Sequence, residues 1–286
     1  MTGGEDPGFI AGYRIDSRIE TRASEGEILY AGFDPSRARA VAVRALFRSK
    51  LDEECYAQGA AELRVAAQAV ARLPHGGVVR IHDVGENGGI AYLVMERHSA
   101  RTLQSCFDDG ERFGPARAAA IAERLLESLG QVHAAGVLHR NLSARNVVLG
   151  DRDEVKLNGF DLASLPPTGL PASAAGSPAK MSGKWSAMAP EQIAGAACDE
   201  RTDLFQAAQL VYRLLTGVAA FPAAGMFSRA KQIVSMDPPA PSTVEPSLPS
   251  ALDPVLATAL EKDRTLRYAS AKQFAAALRL ALGGRA

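Results

Sequence analysis

The sequence predicts an α+β chain of two lobes: a small antiparallel β lobe with one helix, and a larger, mainly helical lobe. Three observations predict it. Short apolar-alternating segments fill the first third, helical periods take over from about Arg117, and 286 residues suffice for one large or two smaller cores. The expected divisions are an N-terminal extension (1–12), a β lobe (13–97), a helical lobe (98–282) with a long loop over 159–191, and a tail (283–286).

Tyr13–Ile19 (YRIDSRI), Glu27–Asp34 (EILYAGFD) and Arg39–Phe47 (RAVAVRALF) alternate with period two, and Asp34-Pro35-Ser36 is turn chemistry. Together they predict an antiparallel meander. The Ala-rich run Glu53–Arg72 predicts a helix, stopped by Pro74, Gly76 and Gly77. VVRIHDVG (Val78–Gly85) and IAYLVMER (Ile90–Arg97) complete the sheet. Two long helical periods follow, ending at Gly136 and Gly217, each glycine standing where a helix end needs left-handed backbone. Ser270 with Gln273 three positions on predicts a capped final helix. Ser164–Gly183, rich in Pro, Gly, Ser and Ala, predicts an exposed loop.

The balance of 32 basic and 32 acidic side chains gives no electrostatic footprint for nucleic acid or an anionic membrane. Cys55, Cys106 and Cys198 fit neither a disulfide framework nor a metal-ligand spacing, so they read as reduced thiols in a cytosolic compartment. No apolar run reaches the roughly 20 residues of a membrane span, and the start MTGGEDPG is unlike a secretion signal. A cytoplasmic location is expected, without membrane insertion by this segment; tethering to the inner face of the plasma membrane would come from a larger parent protein.

Seven landmarks carry more specific information: VAVR (41–44), YLVMER (92–97), HRNLSARN (139–146), GFD (159–161), APE (189–191), RTDLFQAAQLVYRLLTG (201–217) and KDRTLRY (262–268). In this order they resemble the bacterial Ser/Thr protein kinase family from Tyr13 to about Leu282. The resemblance implies a bilobal protein-kinase-like fold with an activation-type loop over 159–191. Fold is not activity, so the chemistry has to be read position by position.

Phosphoryl transfer in that family needs a glycine loop, a Lys held by a Glu, metal ligands, and an Asp that takes the substrate proton. The loop IETRASEGEIL holds only Gly26, with Thr21 and Ala23 in the other glycine positions and Glu25 and Glu27 adding negative charge; it reads as an ordinary hairpin turn. Arg44 stands for the Lys, and a planar fork does not substitute for a compact ammonium. Its Glu partner is expected at Ala66, with Glu62 one helical turn too early. Asn141 replaces the proton-accepting Asp, and an amide has no basicity at neutral pH. Ser143 replaces a Lys, Gly159 the metal-binding Asp, and Gly183-Lys184 the family's Gly-Thr pair. Asp161 lies two positions past Gly159, displaced by several ångströms, and Asn146 alone is a poor magnesium anchor. The structural features remain: His139 in the HRN loop, the expected buried pair Glu191 and Arg267, and Asp203 as the acid that opens the central helix and braces HRN.

These replacements lead us to expect a catalytically inactive pseudokinase, not an enzyme, with no cofactor and no bound metal. The alternative is a low-activity atypical Ser/Thr kinase using Asp161 and Arg44 in displaced roles. The chain is also similar to the pseudokinase domain of actinobacterial MviN/MurJ lipid II flippases. That similarity implies a regulatory docking module in peptidoglycan (cell-wall) synthesis, modified by an active Ser/Thr kinase and bound through phosphothreonine by a forkhead-associated adaptor. Thr265, in a charged loop, and Thr168, in the Pro-rich loop, are the candidate phosphorylation sites.

Overall fold

The structure is a computed structural model that describes residues 7–22, 27–73, 76–97, 101–160, 187–223 and 225–283. Of these residues, those within 7–73 and 79–97 form one compact unit and those within 76–78, 101–160 and 187–283 the other. The division gives a curled antiparallel sheet unit and a helical unit.

In the first unit six strands form one antiparallel sheet in the order β1-β2-β3-β4-β6-β5. They are β1 (Phe9–Ile10), β2 (Tyr13–Arg22), β3 (Glu27–Asp34), β4 (Arg39–Phe47), β5 (Ile81–Asn87) and β6 (Ile90–Glu96). Strand pairing thus begins inside the N-terminal segment, where Ile10 packs into the core beside Ile28, Tyr30, Val41, Val43 and Val94. Asp34 makes the β3–β4 turn: its carboxylate accepts from the Ser36 hydroxyl at 2.6 Å, from the Ser36 amide at 3.1 Å and from Arg39 Nε at 3.2 Å. Helix α1 (Glu53–Val70) packs on β4, β5 and β6, and Asp52 caps it by accepting from the Cys55 amide at 2.7 Å.

The second unit contains a three-stranded sheet, β7 (Arg101–Thr102), β8 (Val147–Leu149) and β9 (Val155–Leu157), in that order. Its helices among the described residues are α2 (Leu103–Asp108), α3 (Pro115–Ala134), α4 (Pro190–Ile193), α5 (Glu200–Thr216), α6 (Met226–Ser235), α7 (Pro241–Val244), α8 (Leu252–Ala259) and α9 (Ala271–Ala281). Both α5 and α9 pack on α3. Asp199 caps α5, and Gly217 ends it at φ +74°, as Gly136 follows α3 at φ +73°. At α9 the Ser270 hydroxyl accepts from the Gln273 amide, but Gln273 reaches past the cap to the Ala269 N–H. The box predicted from Ser270 and Gln273 is therefore one residue wider than the standard pattern.

No helix among the described residues is long and apolar enough to cross a membrane. The Ser164–Gly183 loop lies outside the described residues.

Candidate functional site

The HRN loop is held from below by α5. Asp203, fully buried, accepts from the backbone N–H of His139 at 2.8 Å and of Arg140 at 2.6 Å, and its carboxylate lies 2.8 Å from His133 Nε2. Asp203 stands in the first turn of the helix, where carboxylates are favoured by the helix dipole, while the capping residue is Asp199. One turn on, Gln206 Oε1 accepts from the Leu142 amide at 3.0 Å, and its Nε2 donates to the Arg140 carbonyl at 3.1 Å and to Gln192 Oε1 at 2.9 Å. Gln192 Nε2 donates to the same Arg140 carbonyl at 2.8 Å. These bonds over-determine Arg140, whose φ of +60° is left-handed and costly for a residue with a Cβ. Gln192 and Gln206 were not singled out from sequence, although Gln206 lies three positions after Asp203, on the same helix face.

Above this clamp the loop is built from amides. Asn141 Nδ2 donates to the Gly159 carbonyl at 3.0 Å, Asn146 Nδ2 to the Asn141 carbonyl at 2.7 Å, and the Gly159 N–H to Asn158 Oδ1 at 2.8 Å. His139 stacks on Phe160 with ring centroids 4.4 Å apart, and its Nδ1 accepts from the Asn141 amide at 3.3 Å. Asn141 is therefore a donor where a carboxylate, which only accepts, would face a carbonyl oxygen.

Gly159 is required by this arrangement. Its φ is +70°, and a Cβ added there would meet Asn146 Oδ1, Cγ and Nδ2, all closer than 3.0 Å. An Asp cannot simply be restored at 159 while Asn146 stays in place. A magnesium ion therefore does not fit the described residues of this loop: Asn146 is turned onto backbone, and 141 and 159 carry no carboxylate. Asp161, the proposed stand-in, lies outside the described residues, as do Gly26, Ala23, Thr168 and Gly183-Lys184.

The two Arg–Glu relations expected from sequence come out differently. Arg267 and Glu191 form a buried two-pronged pair at 2.8 and 2.9 Å. The remaining guanidinium hydrogens go to the carbonyls of Glu261 (2.7 Å), Arg201 (3.0 Å) and Lys262 (3.1 Å). Burial pushes the Glu191 carboxyl up, but the hydrogen bonds and charge of Arg267 outweigh it and hold the group below its ordinary value.

Arg44 takes neither helix partner. Its Nε lies 3.2 Å from Glu27 Oε1, on the neighbouring strand. The register explains the choice: Arg44 pairs with Leu29, so Glu27 is its diagonal neighbour on the same sheet face. Glu62, considered for this role, accepts instead from Gln58 at 3.1 Å along α1, and Ala66 offers no acid. Thr265 is exposed on a short turn, its N–H and hydroxyl both 2.8 Å from Asp263 Oδ1. These bonds, the backbone one foremost, hold the Asp263 carboxyl below its ordinary value.

A curled antiparallel sheet unit, a helical unit and an HRN loop braced by a buried Asp define a protein of the kinase fold. The protein kinase domain model matches residues 25–277, and the chain belongs to the protein kinase family. A probable serine/threonine-protein kinase of Streptomyces coelicolor is 30% identical over 286 residues, covering 98% of this chain and 42% of that protein. Serine/threonine-protein kinase PknL of Mycobacterium tuberculosis is 30% identical over 240 residues, covering 80% of this chain and 57% of that protein. Serine/threonine-protein kinase pkn2 of Myxococcus xanthus is 32% identical over 198 residues, covering 67% of this chain and 23% of that protein. The chain thus spans roughly a quarter to somewhat over half the length of these relatives.

These relatives correct one expectation. Arg44, Asn141 and Gly159 led to the reading that the chain is not an enzyme, whereas the proteins aligning with most of it are named as Ser/Thr kinases and point to an enzyme. The reading went astray by weighing three positions of a motif as a yes-or-no test. Removing a general base lowers a rate by about 10²–10⁴-fold, and catalysis by positioning and electrostatics survives it.

Proposed function

We propose that the chain is a slow Ser/Thr phosphotransfer enzyme of the kinase family whose signalling output depends on docking. The observation that carries the catalytic part is Asn141, whose amide is held against the Gly159 carbonyl where a base would receive the substrate proton. Its chain neighbours are anchored through Asp203, so the loop orients groups without taking their protons. The test is phosphate incorporation from labelled ATP into a generic Ser/Thr substrate by the purified chain. Turnover should fall by at least about 10²–10⁴-fold, the share of the lost base alone, below a relative with Asp in the Asn141 position, and Asn141→Asp should raise it. Incorporation no higher than in a no-protein control would overturn the catalytic part of the proposal.

The docking part rests on Thr265. It is exposed, it sits on a turn whose far side is anchored by buried Arg267, and Arg264 is its immediate neighbour. A phosphate there adds close to two negative charges and strong acceptor oxygens, the chemistry that phosphothreonine-reading forkhead-associated domains bind. In this reading an active Ser/Thr kinase modifies Thr265, an adaptor of that class docks, and the complex acts at the inner face of the plasma membrane in control of peptidoglycan synthesis. Thr168 remains a second candidate site. Mass spectrometry after treatment with such a kinase, then adaptor pull-down with Thr265→Ala and Thr168→Ala, tests it. Binding undiminished in both variants would end this part.

A further inference from the structure

A cavity of about 440 Å³ opens in the helical unit between α2, the start of α3 and the end of α5, away from the HRN loop. Its volume lies within the range of small-molecule sites. Phe107 and Phe113 line it, edge to face with centroids 6.0 Å apart, and the Arg213 guanidinium lies 4.0 Å above the Phe107 ring.

The charged groups of the wall differ in one respect. Glu111 is engaged by Arg101 and Arg117, and Glu245 accepts from the Ser247 hydroxyl at 2.7 Å. Arg112 Nη1 donates to the Thr216 carbonyl at 3.2 Å, closing the end of α5 against Gly217, where any Cβ would strike it. Arg213 has no such engagement: among the described residues its side chain makes no hydrogen bond and no ion pair. Attraction of a guanidinium to an aromatic face uses none of its N–H donors for a hydrogen bond. Burial makes Arg213 hold its proton less firmly than an ordinary arginine, Asp108 opposes that pull, and Arg229 adds to it. An anion entering the cavity would give these donors a charged acceptor in place of water.

We propose that this cavity is a binding site for a small organic anion, a carboxylate or phosphate on a flat apolar body, with Arg213 taking the anionic group and Phe107 and Phe113 the body. The site is separate from the loop carrying Asn141 and stands whether or not that loop transfers phosphate. It is nonetheless mounted on the helix that clamps the loop: Arg213 and Asp203 are both α5 residues.

The experiment uses the whole chain and three probes: phenylacetate, phenyl phosphate, and 2-phenylethanol as a neutral match for the first. Binding is followed by calorimetry and by ligand-observed NMR. At least one anion should bind, and the alcohol about tenfold or more weaker than the better-bound anion, since a charge-assisted hydrogen bond is worth about that factor. Arg213→Met, which keeps an apolar chain over Phe107, should remove the preference for the anion, and Arg213→Lys should restore it in part. Comparing the two anions identifies the head group. Failure of both anions to bind, equal binding of the alcohol, or an anion preference unchanged in Arg213→Met would each overturn the proposal. The native-protein comparison decides the matter even if Arg213→Met does not fold.

Discussion

Two Arg–Glu pairs, one in each unit, show how much geometry separates one ion pair from another. Arg267 meets Glu191 with both prongs, at 2.8 and 2.9 Å, and places its other donors on three carbonyls. Arg44 meets Glu27 through Nε at 3.2 Å, and that nitrogen has no hydrogen bond of good geometry. The side chains of the first pair are 0% and 8% exposed, those of the second 19% and 13%. A planar fork in a buried slot is worth having when every hydrogen has an acceptor; on a sheet face the same side chain does little more than balance charge. One is a brace between segments 76 residues apart, the other a diagonal neighbour of adjacent strands.

The sharpest way to break the contrast is to remove the forked member. Arg267→Met leaves Glu191 buried without its partner, and we expect a loss of about 3–5 kcal/mol in urea unfolding, since one half of a buried pair is worse than neither. The double variant Arg267→Met/Glu191→Gln should recover part of it. A loss under about 1 kcal/mol for the single variant would place the pair with ordinary surface pairs.

Next in size is Gly159. Gly159→Ala puts a Cβ on left-handed backbone and against Asn146, so we expect about 1–3 kcal/mol of destabilisation, read from the same unfolding curves. Asn146→Ala should relieve the steric share and leave the backbone share. Additive losses in the double variant would show that the two residues do not touch.

The acid limb of stability sharpens the comparison by its sign. Glu191's carboxyl is held below its ordinary value of 4.5, so its contribution is present above that pH and disappears as the pH falls through the lowered folded value. Unfolding midpoints should therefore drop between mildly and strongly acid buffers, with a shallower drop in Glu191→Gln. Equal slopes for the native chain and Glu191→Gln would remove the pair from the account of acid denaturation.

How far all this was legible in the sequence follows from the range of each interaction. The strands from Tyr13, Glu27 and Arg39 and the glycines ending α3 and α5 follow from local pattern, because alternation and left-handed backbone are properties of a few adjacent residues. Glu191 with Arg267, and Asp203 under HRN, were named through motif order, which carries long-range pairing that spacing alone cannot. Arg44 escaped because the partner was sought on the helix, while the register of β3 against β4 decided it. The amide cluster escaped for another reason. Gly159 was read as a missing side chain, whereas Asn146 fills the space a side chain would need, and only three-dimensional packing reveals that.

The smallest expected effect tests the weaker pair. Arg44→Met removes an approach through one nitrogen on a partly exposed strand face, so we expect a change below about 1 kcal/mol, shrinking further as salt is added. A methionine also keeps most of the apolar stem that covers the sheet. Glu27→Gln should match it in size, because each side chain keeps some contact with water. A loss from Arg44→Met as large as that from Arg267→Met, and insensitive to salt, would mean that the sheet unit holds its charge as tightly as the helical unit. The difference in prongs and acceptors would then have no energetic content.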